Sequence, residues 1–245
     1  MAAYTADASL GGKLRRRYAR LVHRRPVRLD LTRPVVSFTF DDAPASAATV
    51  GADVLERHDA RGTYYVCSGL FDDEGHMGRF ANEAEITALA NRGHEIACHT
   101  GGHLDCHRTA DDALLHNCAE NVGRLQALGG SVRHFAFPYG EVSPHAKALL
   151  APIYQSLRGV HAGMVHAGDD LNQLPAVGIE GDDGEAVARA WIDRAAKARA
   201  WLILFTHDVR DQPSAWGCTP AALDRLAAHA RASGCDIKTV GEVLA

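Results

Sequence analysis

Short apolar runs alternate with longer stretches of helical periodicity along most of the chain. Val35-Val-Ser-Phe-Thr-Phe40, entered by Pro34, reads as a buried strand. Residues 46–58 then set Val50, Val54 and Leu55 on one helical face, and Thr63-Tyr-Tyr-Val66 reads as a second strand. A Gly/Asp-rich loop covers about 68–80. Asn82 with Glu85 predicts a capping box ahead of a helix through Ala90, and Glu95-Ile-Ala-Cys98 a third strand. Thr109 and Asp112 predict the start of a helix whose Leu114, Leu115, Cys118, Val122 and Leu125 form one face, ended by Gly129-Gly130. Strands are further expected at 134–137, 153–158, 174–179 (weak), 201–205 and 237–240, and helices at 143–151 and 183–199. Thr219-Pro220 predicts the start of a last helix, which runs to Gly234.

Seven or eight strands alternating with helices, with neither linker nor repeat, indicate one α/β domain with a mostly parallel sheet. The length fits a (β/α) barrel better than an open sheet. In such folds functional residues gather at the carboxyl ends of strands. Those ends carry Asp41-Asp42, Cys98-His99, Pro138-Tyr139-Gly140, Arg158 and His207-Asp208.

Composition narrows the reading. With 47% apolar and 23% charged residues in 245, the chain can bury a core and is not a disordered polymer. A net charge of -4 argues against a general nucleic-acid binder. The charge is unevenly placed: residues 1–33 hold nine Lys/Arg and two acids, +7, leaving -11 on the rest. Residues 1–32 therefore read as a basic N-terminal extension on a barrel of residues 33–245. A basic arm folded onto an acidic body is one reading; contact with anionic lipid or polymer is the other. No signal-peptide pattern and no long apolar run is seen, so the expected location is the cytoplasm, with membrane association through the arm as the variant. Six dispersed cysteines suggest reduced thiols rather than a disulfide framework.

Two adjacent carboxylates after a buried strand are costly unless something positive lies beside them. Their side chains diverge, so Asp42 and Asp41 can serve a metal and its ligand separately. His99-Thr-Gly-Gly-His103 offers two imidazoles four residues apart, converging if the loop turns helically. Two His and one Asp leave an open position for water, as a hydrolytic zinc site does. His107 and Cys106 compete for the ligand role; His94, ahead of its strand, reads as structural. His207 suits a general acid, with Asp208 a candidate to orient its ring.

These residues resemble the NodB-homology polysaccharide deacetylases, carbohydrate esterase family 4. Thr39-Phe-Asp-Asp42 resembles that family's first motif, His99–His103 the second, Phe135–Gly140 the third and Leu202–His207 the last. The resemblance implies a distorted (β/α)7 barrel and one divalent metal, usually zinc, with cobalt, nickel or manganese as substitutes. It implies that Asp42, His99 and His103 hold the metal, that Asp41 is the general base and that His207 is the general acid. It also makes the backbone N–H of Tyr139 an oxyanion donor, and water activated at the metal the attacker of an amide carbonyl. Two positions depart from the family. The arginine two residues before the third-motif Pro is Ala136, and Arg158 is expected to supply the guanidinium to Asp41. The motif that orients the acidic His has no counterpart, although His161, His166 and Asp169 lie in its region.

The expected activity is metal-dependent removal of an N-acetyl group from an N-acylated sugar or polysaccharide. Alternatives are deacylation or deformylation of a nucleotide- or lipid-linked sugar or a cyclic amide, and a metal-binding homologue without activity. No nucleic-acid partner is expected. Trp216 is a candidate to line the sugar site.

Overall fold

The computed structural model describes residues 9–245. In order, the elements are α1 (Leu10–Ala19), β1 (Val35–Asp42), a π-turn at Ala47–Gly51 running into α2 (Ala52–Glu56), β2 (Thr63–Val66), β3 (Glu74–Gly75), β4 (Gly78–Arg79), α3 (Glu83–Asn91), β5 (Glu95–Cys98) and α4 (Asp111–Ala127). The second half holds β6 (His134–Ala136), α5 (Pro144–Leu150), β7 (Ser156–Arg158), β8 (Val177–Gly178), α6 (Gly184–Ala198), β9 (Trp201–Thr206), α7 (Pro220–Ala232), β10 (Asp236–Ile237) and α8 (Val240–Val243).

Eight of these strands form one parallel sheet in the order β7-β6-β5-β2-β1-β9-β8, with β10 beside the start of β1. The sheet curls, and between β7 and β8 the regular ladder gives way to an isolated bridge at Arg158–Leu174, which makes a distorted barrel. Parallel strands covered on both faces tolerate few exposed positions, and all of β1 and β9 is buried. The twofold side-chain alternation sorts β1. Val36, Phe38 and Phe40 join the core under the helices. Ser37, Thr39 and Asp41 take the other parity, where Ser37 accepts from the Trp201 indole at 2.9 Å. That parity aims Asp41 into the ring.

The capping box at Asn82 and Glu85 is present, as is the Thr219 cap with Pro220 behind it. One helix start differs from expectation. α4 begins after Ala110 without a side-chain cap, because the Thr109 hydroxyl donates to the Asp105 carbonyl instead. Its buried face also differs: Asn121, not Val122, is fully buried. The Asn121 amide accepts from the Ser68 N–H and donates to the Val66 carbonyl, both at 2.9 Å, so the Ser68 N–H just beyond β2 gains a partner and the strand end is tied to α4.

Residues 10–19 of the basic segment are helical, and its residues 1–8 lie outside the described residues. Ser9 caps α1, which packs on α5 through Gly12 and Ala19. The buried Lys147 ammonium donates to the Ala19 carbonyl at 2.7 Å and pairs with Asp170. Beyond α1, Val27 donates to the Asp169 carbonyl at 2.7 Å and accepts from Gly168 at 2.9 Å, and its side chain is buried against Val35 and Trp201. Among the described residues no helix is long and apolar enough to cross a membrane.

Candidate active site

The carboxyl ends of β1, β5, β6, β7 and β9 meet at one rim. Asp42, at the end of β1, sets its Oδ1 at 3.4 Å from His99 Nε2 and 3.2 Å from His103 Nε2. One donor atom from each of the three lies within 4.8 Å of the others. His99 Nδ1 is 2.8 Å from the Ala136 carbonyl, so Nδ1 carries the proton and Nε2 turns its lone pair towards Asp42. Burial, opposed by Asp41, keeps both imidazoles neutral, with pKa pushed down to about 4. Burial likewise raises the Asp42 carboxyl, only partly offset by His99 and His207. Two neutral imidazoles and a carboxylate that lacks a permanent cation fit a divalent ion of the zinc type.

The rivals for this role lie elsewhere. Cys106 is buried with its thiol towards the Leu104 carbonyl, and His107 is exposed. His94 accepts from the Gly62 N–H at 3.0 Å and donates to Glu56 at 3.1 Å, a structural role. All six cysteines are free and buried.

The spacing of His99 and His103 does not rest on a helical turn. Thr100 and His103 adopt positive φ, +59° and +52°, and Asn117 of α4 clamps the loop by accepting from Gly101 at 2.6 Å and Gly102 at 3.3 Å. A Cβ on Gly69 would sit 2.6 Å from the Gly101 carbonyl, so only glycine lets the two loops touch. Asp42, Ala43 and Tyr139 are also left-handed, so five of the ten described non-glycine residues with positive φ line this rim. Such backbone is held only where its surroundings over-determine it, and it marks working sites. Asn117→Ala is expected to weaken divalent-ion affinity by about tenfold or more while leaving the fold intact, measured by competition with a chromogenic chelator.

Asp41 turns away from Asp42 and pairs with Arg158, both buried. The guanidinium lies over the Tyr65 ring at 4.9 Å and the Phe205 ring at 5.3 Å. Burial raises the Asp41 carboxyl, but Arg158, with His99 and His207, outweighs it, and the net pKa falls below the ordinary value. His207, at the end of β9, sets Nδ1 3.3 Å from Glu180 and 3.2 Å from the Trp216 carbonyl. Burial lowers its pKa; Glu180, Asp42 and Asp41 more than reverse this, to about 9. Asp208 does not orient this ring. Its carboxylate instead accepts from Arg210 Nε at 2.7 Å and from the Ser214 N–H at 2.9 Å. Adjacent positions leaving a strand face opposite ways, which sends Asp208 into the loop that follows. The Tyr139 ring packs edge-on against His103, 4.3 Å between centroids.

The family model for polysaccharide deacetylases matches residues 28–153, just over half of the chain. The chain belongs to the polysaccharide deacetylase family. No curated protein sequence matches it significantly. Among solved structures, the Xyl-CE4 domain of a multidomain xylanase from the hindgut metagenome of Trinervitermes trinervoides is 18% identical with a TM-score of 0.62, over 86% of this chain and 90% of that one. The chitin deacetylase of Colletotrichum lindemuthianum is 18% identical with a TM-score of 0.62, over 89% and 90%. A family 4 carbohydrate esterase from Bacillus anthracis is 15% identical with a TM-score of 0.60, over 98% and 94%. At these identities the likeness is one of fold.

At the third motif, Ala136 gives its carbonyl to His99, and the guanidinium beside Asp41 comes from β7. Glu180 was not anticipated. It follows β8 at the same rim, so the rule of strand ends points to it, but Glu180-Gly-Asp-Asp183 reads as a solvated loop. Cys67 was also missed: its thiol donates to the His99 carbonyl at 3.1 Å, behind Asp42. The His166 backbone N–H donates to the Asp169 carboxylate at 2.7 Å, and no contact joins either residue to His207 among the described residues. A hollow at the opposite rim, lined by Leu29, Leu31, Val35 and Lys238, borders none of this chemistry.

Proposed function

We propose that the chain is a metal-dependent amide hydrolase that removes an acetyl group from an N-acetylated sugar or polysaccharide. The observation that carries this is the division of the rim: two neutral imidazoles and the Asp42 carboxylate at its centre, Asp41 paired with Arg158 on one flank and His207 beside Glu180 on the other. Asp42, His99 and His103 would hold one divalent ion, with zinc the best match to the donors. Such an ion, when bound, polarises the acyl oxygen and makes water more acidic.

The chain's own groups divide the proton transfers. Asp41, held ionised by Arg158, takes a proton from the attacking water. His207, held protonated by Glu180, gives a proton to the departing nitrogen, without which C–N cleavage stalls. The Tyr139 N–H is assigned to the oxyanion. Trp216, partly exposed and packed edge-on to His76 at 4.7 Å between centroids, is assigned to the wall beside the sugar. The named relatives favour a saccharide; a formyl group on a lipid- or nucleotide-linked sugar would use the same machinery.

The test is amine release from a panel of N-acetyl and N-formyl saccharides, with chelated and metal-reloaded protein. Turnover on an N-acetyl substrate that disappears on chelation and returns with zinc is the expected result; release from none of them contradicts the reading. The pH profile follows from the two flanking groups. Activity is expected to hold from neutral pH until His207 loses its proton, near its pKa of about 9, and to fall above it. Glu180→Gln removes a charge that favours imidazolium, so the alkaline limb of kcat/KM is expected to move down by about 1–2 pH units. A limb that stays in place would remove Glu180 from the account.

A further inference from the structure

From the outward side of α1 we infer that this helix docks on an anionic lipid surface. α1 meets the body along one side only, through Gly12 and Ala19, with Arg15 and Arg16 reaching Glu141 at 3.4 and 3.0 Å. On the opposite side Leu10, Leu14 and Tyr18 follow at four-residue spacing, and Leu21 falls in line just past the helix end. They are 79%, 65%, 57% and 74% exposed. The described chain has nine large exposed apolar side chains, and these four share one stripe while the others are scattered. A stripe of this kind on a monomer's surface marks a contact.

Charge selects the occupant. Lys13, Arg17 and Arg20 are exposed along one border of the stripe, and Arg24 follows; α1 contains no acidic residue. An apolar face bordered by cations, with an aromatic within it, is the composition that lies in the headgroup layer of an anionic bilayer. A second copy of this chain would bring the same cations together with no carboxylate on either helix to offset them. A soluble polyanion would engage the cations but leave the four apolar side chains in water.

The body holds α1 as a ready-made unit. Lys147 secures its last carbonyl, and Glu141, which takes Arg15 and Arg16, lies two residues beyond Tyr139. A surface bound by α1 is therefore adjacent to the loop that ends β6. This docking goes beyond the proposed hydrolysis and stands without it, because vesicle binding is read without turnover.

The test is co-sedimentation of the full metal-loaded chain with vesicles of phosphatidylcholine alone and of phosphatidylcholine mixed with phosphatidylglycerol. Binding is expected to the mixed vesicles and to weaken with added salt. Arg17→Gln with Arg20→Gln is expected to lower the partition coefficient about 25-fold, at roughly fivefold per cation. Leu14→Asp with Tyr18→Asp is expected to abolish sedimentation while far-UV circular dichroism stays unchanged, since both side chains face solvent. Equal binding to neutral vesicles, undiminished binding by the folded Leu14→Asp/Tyr18→Asp variant, or no vesicle binding with dimers that this variant dissolves would each overturn the assignment.

Discussion

Asp41→Asn is expected to lower kcat by about three orders of magnitude, the scale of a positioned base, while the protein still takes up one divalent ion. The two halves of that expectation come from one geometric fact. Asp41 and Asp42 are neighbours in sequence but face different partners, Arg158 for one and the two imidazoles for the other. Asparagine keeps an oxygen for the Arg158 guanidinium and leaves the triad untouched, but it cannot accept a proton from water. Paired measurement of metal content and turnover separates these roles. A variant that loses both metal and activity would place Asp41 among the ligands, and unchanged turnover would remove it as the base.

Arg158→Met is expected to cost about 3 kcal/mol or more of stability near neutral pH in the metal-free protein, because it leaves a buried carboxylate with its main cation gone. The sign follows from linkage. The folded pKa of Asp41 is below its unfolded value, so the pair stabilises the fold above that value and the contribution disappears as the pH falls through the folded pKa. Without Arg158 the carboxyl pKa rises, and the acid limb of activity is expected to move to higher pH. The double variant Asp41→Asn/Arg158→Met buries neither charge and is expected to recover most of the lost stability. Urea unfolding of the four proteins at matched pH measures the coupling; additive losses would mean that the pair is not the source.

The guanidinium was foreseeable because the resemblance implies one beside Asp41, Ala136 cannot supply it, and Arg158 ends the next strand at the same rim. The triad was legible for the same reason: strand ends are set by hydrophobic pattern, and His99 and Asp42 follow directly from theirs. The means by which His103 reaches the triad was not legible. It depends on Asn117, one helix later, and on close contact at Gly69, neither of which leaves a local pattern. Adjacency makes Asp208 a candidate partner of His207, but side-chain alternation turns it into the following loop, where Arg210 and Ser214 hold it. The helical periodicity of α1 was hidden by Gly11-Gly12 and by arginines that dominate its composition, although Leu10, Leu14 and Tyr18 are spaced as a helix requires. Asn121 shows the converse: the periodicity named only apolar positions on that helix, yet this polar side chain is buried because the Ser68 N–H after β2 needs its amide.

The central claim is that Asp42, His99 and His103 hold a single divalent ion on which hydrolysis depends. The most direct measurement is turnover of an N-acetylated saccharide by chelated protein titrated with zinc, beside His99→Ala and His103→Ala. Turnover that rises linearly and breaks at one equivalent, with neither variant active under the same conditions, is the predicted result. Turnover by the chelated protein, or by either variant, would contradict it.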